Sequence, residues 1–307
     1  MRHVASATPT HGRVYIGISG YSYPGWRGRF YLADLPEREW LRYASRQFNS
    51  IELNSTFYSL KSPAVFRRWV AETPGSGFVF AVKGSRFITH NLKLASPEGA
   101  LANFYASGVL ALGRKTGPFL WQLPASYAFE PSRMAAFLEL LPPNARAAER
   151  LARRHGAQLR HGALTRAAAP RRYRHAVEVR HRSYLTEEFY ELLRGRRCAL
   201  VVAESAGVFP HIEELTADFV YVRLHGSRML YASGYSDEEL EGWANRILGW
   251  ARPAAGRGRD VYVYFDNDAW GHAPRDARRL AELVSDSHLS ASGAKARRLP
   301  RTLSARA

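Results

Sequence analysis

Cysteine is almost missing from this chain: Cys198 is the only one in 307 residues, so neither an internal disulfide nor a thiolate metal cluster can form. It lies in the apolar run CALVVA, which reads as a buried strand. A thiol there is a small hydrophobe rather than a nucleophile, which would need exposure and a nearby base. Long apolar runs are missing too. None approaches the roughly 20 residues that cross a bilayer, and the opening MRHVASATPTHGRVYIG lacks the apolar centre of a signal peptide. These absences predict a cytoplasmic protein with no membrane partner.

Acidic residues are scarce, 27 against 44 Lys and Arg, for a formal net charge of +17. A field of that sign attracts phosphate-bearing partners, nucleic acid among them. Its distribution points elsewhere first. Much of the excess is arginine between Arg146 and Arg182, and the stretch after His288 carries Lys295, Arg297, Arg298, Arg301 and Arg306 with no acid. A solvated face plus a disordered basic tail is the plainer reading, with a nucleic-acid surface as the alternative. Several motifs are absent as well. No glycine-rich dinucleotide fingerprint follows the first strand-like run, no HExxH spacing offers a metal site, no GxSxG marks an acyl-transfer nucleophile, and no period of 20 to 50 residues marks a solenoid.

What is present is an alternation. Residues 1–12 and 285–307 are polar and aperiodic, as expected of disordered arms, and the fold is expected over 13–284 as a single domain. Within it, eight β-rich runs recur: Val14 to Ser19, Ser50 to Asn54, Phe78 to Lys83, Pro118 to Leu123, His175 to Arg180, Cys198 to Glu204, Phe219 to His225 and Val261 to Asn267. Between them lie segments with helical spacing, clearest in EREWLRYASRQF, PSRMAAFLELL, TEEFYELLRG, SDEELEGWANRILGW and PRDARRLAELV. Ser132, Thr186 and Ser236 carry helix-start signals, and Gly195 suits a stop. Eight strands with crossover helices in this length predict an α/β fold of the TIM type, one closed (β/α)8 barrel of parallel strands with outer helices. Residues 142–174 form a basic insertion too long for an ordinary connection, expected as an extra helix near Asn144 to His155 followed by a loop.

In such a barrel the carboxyl ends of the strands collect functional groups. Here those ends read Ser19 and Gly20; Glu52 and Asn54; Lys83 with Thr89 and His90; Gln122; Glu178, Arg180 and His181; Glu204; Arg223 and His225; and Asp266, Asn267 and Asp268. Side chains two apart share a face, so Glu52 with Asn54, Glu178 with Arg180, and Arg223 with His225 each point the same way. Charged groups converging from different strands predict a pocket for a small anionic or phosphorylated molecule.

In it, Glu178 or Glu52 would be the general base and His225 or His90 a second proton-transfer group. Lys83, Arg180 and Arg223 would stabilise negative charge. RLHGSR at the seventh strand end and NDAWG at the eighth would let backbone N–H groups meet a phosphate, with Gly226 and Gly271 permitting close approach. Metal binding by Glu52, Glu178, Glu204, Asp266 and His225 is less supported, because the neighbouring cations oppose it, and no cofactor is identified. Tyr21, Tyr23, Trp26, Phe57 and Tyr58 could stack on a ligand at the rim, although packing under a loop is the commoner fate of such residues. A barrel that binds a ligand without turnover is a third reading.

The stretches GISGYSYPGWRGRFY, FNSIELNSTFYSL, FAVKGSRFITH, WQLP, VEVRHRSY, YVRLHG and VYFDND resemble, in order, the signature segments of the YecE-like family, a domain of unknown function. The resemblance spans Val14 to Leu283 and implies a TIM-type barrel with a polar pocket at the strand ends and no established activity. It places the family's motif positions on Gly20, Trp26, Glu52, Asn54, Thr56, Phe57, Tyr58, Lys83, Thr89, His90, Gln122, Glu178, Arg180, His181, Arg223, His225, Gly226 and Asn267. The chain departs from that pattern at RHRSY, where relatives have RHPSW, and at Glu204, where they have aspartate and the carboxylate would sit about one C–C bond closer to the backbone.

Overall fold

The computed structural model describes residues 11–159, 162–253 and 257–296, with side chains as far as residue 286. Eight parallel strands close into a barrel in chain order: β1 Val14–Ser19, β2 Ser50–Leu53, β3 Val79–Lys83, β4 Thr116–Gln122, β5 His175–Glu178, β6 Ala199–Glu204, β7 Phe219–Leu224 and β8 Asp260–Phe265, with β8 pairing back onto β1. These runs read as near-continuous apolar stretches because a barrel strand is covered on both faces. Alternation decides which face. Ile16, Ile51, Phe80, Val202, Val222 and Val263 point outward into a large core beneath the helices, while Tyr15, Ala81, Leu120, Val201, Tyr221 and Tyr264 fill the barrel.

The described helices are α1 Trp40–Gln47, α2 Ser55–Tyr58, α3 Pro63–Glu72, α4 Glu98–Ala106, α5 Pro131–Leu140, α6 Ala145–Ala152, α7 Glu187–Arg196, α8 Asp237–Ala251 and α9 His272–Ala296. No described helix is long and apolar enough to cross a membrane. The connection from β6 to β7 crosses without a helix among the described residues.

Thr186 caps α7 by accepting from the Phe189 N–H, and Ser236 opens α8 with a full capping box to Glu239. Two expected signals fail. Ser132 lies inside α5, which begins at Pro131, and Gly195 lies inside α7, which stops where Arg197 turns left-handed at φ 52°. The helix α9 also continues to Ala296, so residues 285–296 are helical where a tail is expected. Residues 1–10 and 297–307, the rest of the expected arms, lie outside the described residues.

The basic insertion is strapped to the barrel. Asn144 caps α6, after which the Leu164 N–H donates to the Ala106 carbonyl (2.7 Å) and the Ala168 N–H to the Leu110 carbonyl (3.0 Å). A bridge between Asn144 and Arg172 returns the chain to the start of β5. Cys198 is buried, which pushes its thiol up to about 12.

Candidate active site at the barrel mouth

The inward faces change character towards the carboxyl ends. On β7, Tyr221 and Arg223 share a face, and His225 lies just beyond. Arg223 is wholly buried and touches three carboxylates. Its Nη1 donates to Glu178 (2.8 Å), its Nη2 to Asp266 (2.9 Å), Glu52 (2.8 Å) and the Ser19 hydroxyl (3.0 Å), and its Nε to Glu52 (3.2 Å). Tyr221 Oη (2.6 Å) and the Ser19 hydroxyl also donate to Glu52, and Arg180 donates from Nε to Glu178 (2.9 Å). Glu52, Glu178 and Asp266 thus face Lys83, Arg180 and Arg223, three charges of each sign. Buried charge on this scale is tolerated only when paired in this way.

The network reassigns several expected roles. Both oxygens of Glu52 accept two hydrogen bonds, so it has no acceptor capacity left for a substrate proton. Burial alone would push the Glu178 carboxyl up, but Arg223 and then Arg180 overcome it and hold it well below the usual carboxylate range, which makes it a poor base. Asp266 is likewise lowered: Arg223 outweighs burial. Arg223 itself has every side-chain nitrogen engaged by a carboxylate of the protein.

Lys83 differs. Burial, and then the neighbouring Arg223, push its ammonium down to about 8. Its Nζ stands 4.4 Å from the centroid of the Phe57 ring and has no hydrogen-bond acceptor among the described residues. Around it, His90 is lowered to about 4 by burial and by Lys83, and contacts Thr89 through Nδ1 (2.9 Å) and the Gln122 amide through Nε2 (3.4 Å). Asp268 is raised to about 6 by burial and by Asp266. Arg180 is partly exposed, with its guanidinium carbon 4.4 Å from the Phe209 ring centroid. His225 is fully buried, its Nδ1 3.0 Å from Asp266 and its Nε2 3.6 Å from Glu178, and neither ring nitrogen makes a hydrogen bond among the described residues.

Other expected members lie apart from this cluster or at its edge. Asn267 is one step out of phase with Asp266, so it faces outward and braces α9 by donating to Asp276 (2.9 Å) and the Ser233 carbonyl (2.9 Å). Glu204 is out of phase with Ala203 in the same way. The Gly226 N–H is spent on Tyr235 Oη (3.0 Å), and at φ +107° a Cβ there would meet the Met229 carbonyl at 2.4 Å. This turn therefore requires glycine, and its N–H is already engaged within the protein. The Gly271 N–H likewise closes onto the Asp268 carbonyl (3.0 Å). His181 caps a short turn by accepting from the Ser183 N–H.

Asn54 donates to Ser19 (2.7 Å) and leaves its buried Oδ1 without a partner. Tyr58 is exposed at the rim, whereas Trp26 and Phe57 are packed beneath it. A cavity of about 230 Å³ adjoins the mouth between Gly20, Tyr23, Asn54 and Tyr58; larger hollows lie elsewhere. Among the described residues no set of three His, Cys, Asp or Glu is arranged to hold a metal ion, and the point where Glu52, Glu178 and Asp266 converge is filled by the Arg223 guanidinium. Sequence inspection missed Tyr221 as a partner of Glu52, although it stands two residues before Arg223 on the same face.

Comparison with known proteins adds a family and no chemistry. The family model described as "Protein of unknown function DUF72" matches residues 15–302. The UPF0759 protein YecE of Escherichia coli K12 is 33% identical over 132 residues, which is 42% of this chain and 44% of that protein, so the match spans less than half of that relative. The UPF0759 protein YunF of Bacillus subtilis is 23% identical over 300 residues, covering 88% of this chain and 94% of that one. A DUF72 family protein of Thermotoga maritima superposes with a TM-score of 0.70 at 27% identity, over 89% of this chain and 99% of its own. One from Enterococcus faecalis gives 0.65 at 16% identity, over 89% and 95%.

Proposed function

The chain belongs to the family described as proteins of unknown function DUF72, and from that premise we propose that its barrel mouth is the active site of an enzyme that moves a proton on a small anionic substrate. Lys83 is the group that takes the proton. The observation that carries this reading is the contrast between Lys83 and its neighbours: Arg180 and Arg223 are paired with carboxylates, whereas Lys83 has no hydrogen-bond acceptor among the described residues, and its ammonium is pushed down to about 8. A lysine so placed is partly neutral near physiological pH and can act as a base. Once protonated, it faces Asp266, Glu52 and Glu178, which favour the charge. Arg180 offers a partly exposed guanidinium for the anionic group of the substrate. His90 stays neutral and serves as a hydrogen-bonding group at the rim. Glu52 and Glu178 hold Arg223 and Arg180 in place and do not take the proton themselves.

The test is a series of melts of the full chain against small phosphorylated and carboxylated metabolites, followed by turnover assays on any that stabilise it. Ligand at one hundred times its dissociation constant adds about 2.7 kcal/mol, which a melt resolves. The expected result is one class of anion whose stabilisation disappears in Arg180→Gln. Lys83→Met should still bind that anion but lose turnover by about a hundredfold or more. Full turnover in Lys83→Met overturns the assignment. Arg180-dependent binding that never leads to turnover in the unmodified protein makes the mouth a receptor instead.

A further inference from the structure

At the opposite end of the barrel, where the strands begin, a cavity of about 530 Å³ opens beneath β1, β4, β5 and β8. Its wall carries five guanidinium groups, those of Arg13, Arg171, Arg172, Arg174 and Arg257, above the stacked rings of Tyr15 and Tyr262, whose centroids are 4.7 Å apart. One carboxylate lines the same space. Asp260 accepts from Arg174 (2.8 Å), from Arg257 (2.8 Å) and from the Arg13 backbone N–H (2.9 Å). Arg172 turns to Asp218 at 2.8 Å. Arg13 and Arg171 have no carboxylate within salt-bridge distance among the described residues, and Arg171 Nε holds only the Thr116 carbonyl, at 3.0 Å.

A second observation points to a ligand. Thr116 lines this cavity and is buried, yet its hydroxyl has no hydrogen-bond partner among the described residues. A buried hydroxyl left unpaired costs about 1–3 kcal/mol, and like charges gathered in a half-enclosed hollow repel one another. An anion with several oxygens relieves both costs. We propose that this cavity is a binding site for a phosphoryl group, received by the guanidinium forks of Arg13 and Arg171 and by the Thr116 hydroxyl. Guanidinium suits that ligand because its paired N–H groups match two phosphate oxygens at once. The volume suits a small phosphorylated molecule or one or two units of a nucleic-acid backbone lying across the opening. The site is separate from the mouth and does not depend on the chemistry assigned there.

Calorimetric titration of the full chain with tripolyphosphate at fixed ionic strength tests the proposal. Arg13→Gln/Arg171→Gln should weaken binding at least tenfold. Because loss of the Arg171 bond to Thr116 can disturb β4, Thr116→Val is the second variant: it keeps the shape, removes only the hydroxyl, and should cost about fivefold, the worth of one hydrogen bond. Arg153→Gln/Arg196→Gln removes the same charge from exposed positions elsewhere and should change binding less than twofold. No tripolyphosphate binding in the unmodified protein, unchanged binding in both cavity variants, or equal losses in the charge-matched control each overturn the site. A short single-stranded oligonucleotide that displaces tripolyphosphate and needs the same residues identifies a nucleic-acid backbone as the source of the phosphate. Failure of the oligonucleotide to compete identifies a small phosphorylated molecule.

Discussion

The two ends of this barrel handle charge in opposite ways. At the mouth, Lys83, Arg180 and Arg223 are balanced by Glu52, Glu178 and Asp266, and the central cation is fully buried with its donors consumed. At the other end, five arginines line a cavity with Asp260 as its one carboxylate, and two of them reach no acid among the described residues. Matching allows charge to be buried, and burial then tunes the group left imperfectly matched, which is Lys83. Mismatch requires the cations in excess of their acids to stay within reach of water. A single net charge for the chain hides this difference, since the charges balance at the mouth while five guanidinium groups share one carboxylate in the lower cavity.

Breaking the matched end should have the largest effect. Arg223→Ala leaves three buried carboxylates without their common partner, and removing one member of a buried ion pair typically costs about 3–5 kcal/mol. Urea denaturation should show at least that loss; a cost below about 1 kcal/mol would mean that water already reaches the network.

The next effect is smaller and has a sign that pH can expose. Lys83 is lowered from its ordinary 10.5 to about 8, so between those values the unfolded chain binds more protons than the folded one and stability rises with pH. Below about 8 the buried ammonium is a standing penalty. Lys83→Met should therefore be more stable than the unmodified protein at pH 7. That advantage should shrink by about 3 kcal/mol as pH rises from 8 to 10.5, following 1.36 kcal/mol per unit. Denaturation at pH 7 and pH 10 checks it. A constant difference between the two proteins would mean that Lys83 titrates normally and would remove the basis of the proton-transfer assignment.

Both ends differ in how far they can be read before folding. All eight strands are legible because burial on two faces writes them as continuous apolar runs, and the expected inward cluster of Glu52, Lys83, Glu178, Arg180 and Arg223 comes from reading the strand ends of a closed barrel together. The step of two along a strand, followed strictly, separates Asn267 from Asp266 and Glu204 from Ala203; grouping every polar residue near a strand end is what places them in the pocket wrongly. The lower cavity follows no local pattern. Arg13, Arg174 and Arg257 precede three different strands, and Arg171 ends an insertion whose path depends on hydrogen bonds to Ala106 and Leu110. Only closure of the barrel brings them together, so the sequence shows the excess of arginine without its address.

The smallest expected effect separates the two ends most cleanly. Arg13→Gln removes an exposed cation that has no carboxylate in salt-bridge range among the described residues and is held mainly by Tyr15 and the more distant Asp260, so without added anion it should change the melt little, and only at low salt. Exposed charges are screened over about 10 Å at 0.1 M salt and about 3 Å at 1 M, whereas buried pairs are screened much less. Raising salt should therefore erase the difference made by Arg13→Gln and leave the deficit of Arg223→Ala nearly intact. If Arg13→Gln instead melts clearly lower at every salt concentration, its guanidinium is already satisfied by the protein, and the lower end is matched after all.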